Sequence, residues 1–322
     1  MNKFLYINLI LFGILGFFNS TYALTVSPAK LEIAADPGGV VKGEIEIFNE
    51  QAETKDFFLS YENFESRGDS GAPYFIGAEG GLATWINTAS EVRIGSGERK
   101  QIPYVINIPP NTKPGGYFAA IFFGSQPVNS AGGGEVSIGG KIGVLLLLKV
   151  NGEVEESAGL SSFSTEDKNF FVNSLPVTFQ YEFNNSGGDR VVPRGELIVK
   201  NTLQIKSATL LANEREGSVL PNSTRKFEIT WGKPNLDTEE DSSFFDMVGN
   251  QWKDFHFGWY RAKLNLVWGV SSQVADASVN FFVFPWQLLL IVFVTLLIVW
   301  FLAKIILKKY NRFIIDRATQ QK

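Results

Sequence analysis

Apolar and polar residues alternate with a period of two along much of the chain between residues 24 and 284. Three examples are 43-GEIEIFN-49, 102-IPYVINI-108 and 177-VTFQYEF-183. Successive side chains of a β-strand point to opposite faces, so this alternation indicates strands with one buried face and one solvated face. Clusters of Gly, Pro, Asn and Ser separate these segments, and no segment has a convincing helical period. The pattern predicts an all-β region built from β-sandwiches.

One motif, Gly-x-Tyr-x-Ala-x-apolar, occurs twice, in 115-GGYFAAIFFG-124 and in 258-GWYRAKLNLVWG-269. The segments that precede it also correspond. Both 97-GERKQIPYVINIPPN-111 and 223-STRKFEITWGKPN-235 contain a basic pair, an alternating strand and then Pro-Asn. An internal correspondence of this length predicts two copies of one domain.

The repeated motif matches strand F of an immunoglobulin-like sandwich, and the segment before it matches strand E. A tyrosine near the start of strand F forms the tyrosine corner of this fold, where its hydroxyl bonds to a nearby backbone group. Tyr117 and Tyr260 are therefore predicted to be structural residues. The repeat predicts two tandem immunoglobulin-like β-sandwiches of seven strands each, over residues 24–152 and 153–284.

The first 23 residues have the features of an export signal peptide. Lys3 supplies a positive start, residues 4–18 are largely apolar, and 21-TYA-23 places small residues before a cleavage site. We expect cleavage after Ala23. The alternative is that this segment stays in place as a membrane anchor.

The segment 286–307 is apolar apart from three residues and predicts a transmembrane helix. At about 1.5 Å per residue it extends over roughly 33 Å, enough to cross a hydrocarbon core of about 30 Å. Pro285 suits the first turn of a helix because its missing N–H has no partner there in any case. Trp286 suits the membrane interface, and Lys304 can extend its amine to the headgroups.

The C-terminal end of the chain is basic. Residues 304–322 hold six Lys or Arg and one Asp, and Lys308 and Lys309 directly follow the apolar segment. Such an excess of positive charge marks the cytoplasmic side. We therefore expect a single-pass cell-membrane protein with a transmembrane helix over 285–307, a basic cytoplasmic tail over 308–322 and an extracytoplasmic ectodomain.

The charge of the ectodomain limits its partners. The whole chain has a net charge of −4, and the signal and the C-terminal end are both positive, so the ectodomain carries −10. A negative surface opposes non-specific binding to nucleic acid. The chain also contains no Cys, which excludes disulfides, thiol catalysis and Cys-based zinc sites.

Residues suited to catalysis or metal binding are sparse. The one histidine, His256, stands among aromatic residues, and the chain has no G-x-S-x-G motif to accompany it. The acidic run 237-DTEED-241 lacks the order of a known calcium loop, so we predict a solvated loop and leave calcium binding open. The glycine clusters 131-AGGGE-135 and 138-IGGKIG-143 lack a phosphate-loop pattern, and the second indicates a bulge or a close backbone approach. We predict no enzyme activity, cofactor, metal or small-molecule substrate.

The two repeats differ in length between strands E and F. From Lys100 to Tyr117 is 17 residues and from Lys226 to Tyr260 is 34, so the second domain carries an insert at the end expected to face the membrane. Its aromatic residues either lie in the headgroup region or fold back as a lid on their own sandwich. These residues are Phe244, Phe245 and Trp252.

Three segments resemble the WxL-interacting cell-surface proteins of bacteria: 25-TVSPAKLEI-33, 43-GEIEIFNEQAETKDF-57 and 103-PYVINIPPNTKPGGYFAAIFF-123. The second sandwich, the C-terminal helix and the basic tail are similar in layout. In that family the first domain is associated with peptidoglycan binding and the second with contacts to other surface proteins. The resemblance implies an envelope binding or scaffolding protein whose partners are cell-wall glycan or surface proteins, and it identifies no ligand-contact residue.

The first domain also resembles the donor domain of periplasmic pilus chaperones. In those proteins a long strand G with alternating apolar residues completes the sheet of a client protein, and 136-VSIGGKIGVLLLLKV-150 has a similar pattern. The resemblance implies an alternative function, a membrane-held assembly factor that acts by β-strand donation. The C-terminal helix departs from those chaperones, which are soluble.

Overall fold

The computed structural model describes residues 24–126, 140–233 and 243–320. The predicted signal peptide, the first glycine cluster and the acidic run lie outside the described residues. The chain forms immunoglobulin-like β-sandwiches followed by a long C-terminal helix, which confirms the predicted fold class. Contacts divide it into two compact units, one of residues up to 66 together with 72–155, and one of residues 67–71 with those from 156 onward.

Ten strands occur among the described residues of the first unit. They are β1 (Leu24–Ser27), β2 (Lys30–Ala35), β3 (Val40–Asn49), β4 (Lys55–Ser66), β5 (Pro73–Gly77), β6 (Ile86–Thr88), β7 (Glu91–Ile94), β8 (Arg99–Asn107), β9 (Gly115–Gly124) and β10 (Lys141–Val150). One sheet has the order β1-β3-β8-β6. The other has the order β2-β10-β9-β4-β5, with β7 also paired to β4.

The prediction of seven strands was too low for this unit. The first strand is divided, since β1 pairs with β3 in one sheet and β2 pairs with β10 in the other. The chain between β4 and β8 adds three short strands rather than one.

Eight strands occur among the described residues of the second unit. They are β11 (Ala158–Thr165), β12 (Phe171–Val172), β13 (Val177–Asn185), β14 (Arg194–Asn201), β15 (Lys206–Leu211), β16 (Ser223–Trp231), β17 (Gly258–Trp268) and β18 (Gln273–Val283). Their sheets have the orders β11-β13-β16 and β12-β18-β17-β14-β15. Strand β17 lies between β14 and β18 as β9 lies between β4 and β10, so the repeated Gly-x-Tyr segments are equivalent strands.

Each sandwich has a core formed by the inward positions of its alternating strands. In the first unit, Ile45 and Ile47 of β3 and Ile121 and Phe123 of β9 are almost completely buried. In the second unit Phe179, Tyr181 and Phe183 of β13 are also buried, and the Tyr181 hydroxyl donates to the Ala212 carbonyl over 3.1 Å. Burying these side chains contributes about 1.5–3 kcal/mol for each large apolar residue.

A buried asparagine ends the equivalent strands β3 and β13. The amide of Asn49 donates to the carbonyls of Glu53, Ile94 and Gly95, and its oxygen accepts from the Gln51 N–H. Asn185 makes the equivalent bonds. Its amide donates to the carbonyls of Asp189 and Val219, and its oxygen accepts from the Gly187 N–H. The predicted correspondence of these segments therefore extends to the hydrogen bonds that fix the turn after each strand.

The described residues also contain two α-helices, one of which the sequence did not predict. Helix α1 (Phe244–Lys253) lies in the insert between β16 and β17, where no helical period was recognised. Helix α2 (Trp286–Gln320) begins directly after β18 and continues without a break through the segment predicted as the cytoplasmic tail. The stretch Trp286–Arg312 is long and apolar enough to cross a membrane.

Candidate partner-binding and membrane-facing sites

The two predicted tyrosine corners both lie at the start of their strands and against the core. The Tyr117 hydroxyl donates to the Lys113 carbonyl over 3.0 Å, and its ring lies 4.8 Å from that of Trp85. Tyr260 packs against Trp231 and Phe281 at ring distances of 5.3 and 5.7 Å. Burial raises the pKa of each tyrosine. The structural role of the two tyrosines stays a prediction.

His256 lies among aromatic rings. Its ring lies 5.0 Å from Trp231 and 6.0 Å from Tyr260, and Nδ1 is 3.1 Å from the Asp254 carbonyl oxygen. Within residues 24–126, 140–233 and 243–320, no group of three or more His, Asp or Glu residues could hold a metal ion. The absence of enzyme activity stays a prediction.

The strand 118-FAAIFF-123 has an apolar outer face as well as an inner one. Ala119, Ile121 and Phe123 belong to the core, as expected. Phe118 and Phe122 point away from the core and make a half-buried cluster with two rings from β4 and β5. The ring distances are 5.8 Å for Phe118–Phe64, 6.0 Å for Phe64–Phe75 and 4.9 Å for Phe75–Phe122. The continuous apolar run of this strand indicates two apolar faces, but sequence reasoning missed the cluster because its other rings come from β4 and β5.

Gly143 shows the close backbone approach that its glycine cluster indicated. A Cβ atom at this position would lie 2.8 Å from the Phe122 ring, so the ring lies directly on the backbone of β10. Beside it, the Lys141 ammonium is 3.8 Å from the Glu62 carboxylate and 5.8 Å from the centre of the Phe122 ring. These contacts place a charged pair at the edge of the aromatic cluster.

On one edge of β10, the described strands cover six of its ten residues. Along its whole length it pairs with β9, but parallel pairing with β2 begins only at Leu145. Among the strands that the structure describes, none pairs with Lys141–Val144 on that second side. The Leu145 N–H bonds to the Ala29 carbonyl on this side. Since backbone groups alternate in direction, those of Lys141 and Gly143 also point to the uncovered edge.

Helix α1 begins with a capping box. The Ser243 hydroxyl accepts from the Phe245 N–H over 3.2 Å, and the Asp246 carboxylate accepts from the Ser243 N–H over 3.2 Å. Each bond satisfies a donor that the first turn of a helix leaves unpaired. A serine followed three residues later by an acidic residue is the signal that could have predicted this helix.

Helix α1 is joined to the first turn of α2 by buried polar side chains. The Gln251 amide donates to the Gln287 side-chain oxygen over 2.5 Å, and its own oxygen accepts from the Leu288 N–H over 2.9 Å. Gln287 in turn contacts the Met247 sulfur at 3.3 Å. Gln251 and Gln287 are 2% and 5% exposed, so these bonds are shielded from water.

The predicted insert residues lie on this helix beside α2. Phe245 and Trp252 are 74% and 71% exposed, while the Phe244 ring is 6.2 Å from that of Trp286. An apolar groove of about 600 Å³ separates the helices and is lined by Phe245, Trp252 and residues of α2 down to Leu296. The insert therefore lies at the level of the first turns of the candidate membrane span. Contact between its rings and lipid stays a prediction.

The predicted anchoring residues all lie at the start of α2 or along it. Pro285 directly precedes the helix, and the Trp286 side chain is 43% exposed. Further along, the Lys304 ammonium is 4.1 Å from the centre of the Trp300 ring. Lys308 and Lys309 are exposed in the same helix. Their membrane-anchoring role stays a prediction.

Comparison with known proteins finds no match by sequence and low-scoring similarities to solved structures. No family model matches the sequence, and no curated protein matches it. Solved structures that are similar include the class 5 fimbriae chaperone CfaA, at 12% identity over 80% of this chain and 98% of that chain with a TM-score of 0.39. The E. coli chaperone DraB is 8% identical over 81% and 97% of the two chains, with a TM-score of 0.34.

A third similar structure is the CsuC–CsuE chaperone–tip adhesion subunit pre-assembly complex from Acinetobacter baumannii. A chain of this complex is 14% identical over 80% of this chain and 98% of that chain, with a TM-score of 0.34. At identities and TM-scores this low, the similarities carry no conclusion about this chain. The resemblance to WxL-interacting proteins stays a prediction.

Proposed function

We propose that the protein is a single-pass, membrane-anchored component of the cell envelope whose first domain binds an extended segment of another surface protein. The observation that carries this proposal is the edge of β10 at Lys141–Val144, which no strand within residues 24–126 and 140–233 covers. A strand edge with free N–H and C=O groups can pair with a segment from another chain, which is the binding mode called β-augmentation.

The side chains around this edge favour such a segment. Val144 is completely buried, and Ile142 packs against the core from a partly buried position next to the uncovered edge. An added strand would lie in line with β2 and place alternate apolar side chains over Ile142. The outer aromatic cluster and the Lys141–Glu62 pair lie on the other face and give the segment contacts for its remaining side chains.

The anchoring part of the proposal depends on helix α2. Its candidate span of 27 residues extends over about 40 Å, which exceeds a hydrocarbon core of about 30 Å. The basic residues at its C-terminal end favour a cytoplasmic C-terminus. The N-terminal domains then lie on the outer side of the membrane.

A second candidate function is the membrane-held assembly factor that acts by strand donation. The long alternating strand β10, with its first four residues uncovered on one edge, favours this candidate as well. The two functions differ in the bound protein. A scaffold holds a complete partner, whereas an assembly factor holds a subunit that lacks one strand and releases it.

The experiment that tests the proposal compares two substitutions of Lys141 in the full chain. Lys141→Pro removes the N–H at the uncovered edge without removing a bond to β9, because the N–H points away from β9. Lys141→Ala removes the side chain and keeps the N–H. Each variant is solubilised in detergent and tested for co-purification with envelope proteins and for sedimentation with purified peptidoglycan.

We expect a surface protein to co-purify with the unaltered chain and with Lys141→Ala, and to be lost with Lys141→Pro. Release of a bound subunit by a synthetic peptide of its missing strand would favour the assembly factor. Sedimentation with peptidoglycan that is equal in all three chains, with no protein bound, would contradict the proposal and favour glycan binding.

A further inference from the structure

The second unit has an exposed group of aromatic residues on the outer face of its five-stranded sheet. We call this group the aromatic patch; it comprises Phe170, Phe171, Phe257, Trp259, Phe282 and Phe284. Adjacent rings lie 5.0 to 6.4 Å apart. Phe171, Phe257 and Trp259 are 67%, 51% and 53% exposed, so the rings pack on one another and still face solvent.

The β14–β15 hairpin extends the aromatic patch. The Thr202 hydroxyl donates to the Trp259 carbonyl over 3.1 Å and holds the hairpin beside the patch. At its tip Leu203 is 76% exposed and Ile205 is 57% exposed. The Asn201 side chain accepts from the N–H groups of both residues, so the tip is ordered while its apolar side chains face outward.

The aromatic patch lies near the start of helix α2. Strand β17 begins at Gly258, which pairs with Val283, and Val283 precedes the start of α2 by three residues. Asn201 pairs with Tyr260 at the same end of the sheet. The patch, the hairpin tip and the start of the candidate membrane span therefore lie at one pole of this unit.

Basic residues follow the aromatic ones on the same outer face. Arg261 and Lys263 are the next outward positions of β17 after Trp259, and Lys200 and Lys206 occupy the neighbouring strands. Arg261 donates to the Asn280 side chain over 3.0 Å, and Lys263 is 3.4 Å from Asp276. Going away from α2, the face therefore changes from aromatic to basic.

This order matches the profile of a membrane interface. Aromatic rings favour the boundary between headgroups and hydrocarbon, and Lys and Arg favour the phosphates above it. Exposed apolar groups of this extent are rare on a surface that meets only water.

We propose that the aromatic patch and the Leu203 hairpin lie in the headgroup layer of the same phospholipid bilayer that α2 enters. The bilayer is favoured over a protein partner by the continuity of the patch with α2 and by the row of basic residues. This inference rests on the membrane insertion included in the proposed function. The unit would then contact the membrane over a broad surface and keep a fixed orientation to it.

Site-directed spin labelling tests this inference, because the chain contains no native Cys. Nitroxide labels are placed singly through Phe171→Cys, Leu203→Cys, Val274→Cys and Phe293→Cys in the full chain. Val274 is the matched control because it is 75% exposed on the same face of β18, about 26 Å along the strand from Phe282. The proteins are reconstituted in vesicles of phosphatidylcholine and phosphatidylglycerol, and collision rates with oxygen and with a water-soluble nickel chelate are measured.

We expect labels at positions 171 and 203 to collide more with oxygen and less with nickel than the label at position 274. A label at position 293 should be deeper still. If the labels at positions 171 and 203 collide with nickel as often as the label at 274, while the label at 293 lies in lipid, the inference is overturned. The membrane insertion of α2 would then still hold. Labels at 171 and 203 shielded from both reagents would indicate a protein contact and also overturn it. Nickel access at 293 would contradict the membrane insertion itself.

Discussion

At the scale of single residues, the fold depends on buried polar side chains that satisfy the backbone. Asn49 and Asn185 occupy equivalent positions, are fully buried and each make bonds to several backbone groups. A buried backbone group that loses its partner destabilises the fold by about 1–3 kcal/mol. These asparagines are therefore as important to each sandwich as the large apolar residues of its core.

Replacing Asn49 tests this conclusion. Asn49→Ala leaves the Ile94 and Gly95 carbonyls and the Gln51 N–H without their side-chain partner. We expect the free energy of unfolding to fall by about 2–4 kcal/mol, given about 1–3 kcal/mol for each unpaired group. Chemical denaturation of the detergent-solubilised chain measures it. The matched control is Asn87→Ala, at an exposed position of β6, and an equal loss in both variants would contradict the assigned role.

The buried hydroxyl of Tyr181 should make the free energy of unfolding depend on pH. Burial raises the pKa of its hydroxyl above the usual value of about 10, with a smaller opposing effect from Arg225. The folded state thus holds the proton more tightly than the unfolded state, so this stabilisation is complete below pH ~10 and is lost as pH rises further. Denaturation at pH 9 to 11 should show falling stability with a smaller slope for Tyr181→Phe. Equal slopes in the two chains would show that Tyr181 does not contribute.

At the scale of elements, α1 acts as a cap for α2. The Leu288 N–H is one of the donors that the first turn of a helix leaves free, and the Gln251 side chain from α1 accepts it. The same amide binds Gln287 and contacts the Asn173 carbonyl at 3.4 Å. One glutamine therefore connects the insert, the candidate span and the loop before β13.

Substituting this glutamine should loosen the start of α2. Gln251→Leu leaves the Leu288 N–H and the Gln287 side-chain oxygen without their hydrogen-bond partner in a buried site. We expect faster hydrogen exchange in peptides that cover residues 286–290, measured by mass spectrometry. Lys253→Leu, at an exposed position of α1, serves as the control and should leave exchange unchanged. Unchanged exchange in Gln251→Leu would show that the cap is dispensable.

Strands and their equivalence were predictable from sequence because their signals are local. The alternation of 102-IPYVINI-108 and the Gly-x-Tyr motif both follow from the two-residue period of a strand, and both segments form the expected strands β8 and β9. Helix α1 was not predicted because its single apolar stripe spans only ten residues and includes Gly249. Its capping box was the better signal.

The candidate sites were less predictable because they depend on which strands become neighbours. Phe171 and Phe282 are 111 positions apart, and only the parallel pairing of β12 with β18 brings their rings together. Similarly, Lys141–Val144 have no partner strand on one side within the described part of the chain because β2 begins its pairing at Leu145. Neither register has a signature in the local pattern of apolar residues.

At the scale of the whole molecule, the proposed topology places the two ends of the chain on opposite sides of a membrane. The absence of native Cys again allows single labels. Val270→Cys, at a residue 84% exposed, should react with a membrane-impermeant maleimide in intact protoplasts. Lys309→Cys should react only after permeabilisation. Reaction of Lys309→Cys in intact protoplasts would reverse the predicted orientation.

The proposed function is tested most directly at the edge of β10, where Lys141–Val144 would pair with an extended segment of another envelope protein. A photo-crosslinking amino acid at Gly140, which is exposed and has no atom within 4 Å of an added Cβ, tests it directly in growing cells. The account predicts a protein adduct of defined mass that persists when Lys141→Ala is added and disappears when Lys141→Pro is added. An adduct with glycan alone, or a protein adduct that Lys141→Pro leaves unchanged, would contradict it.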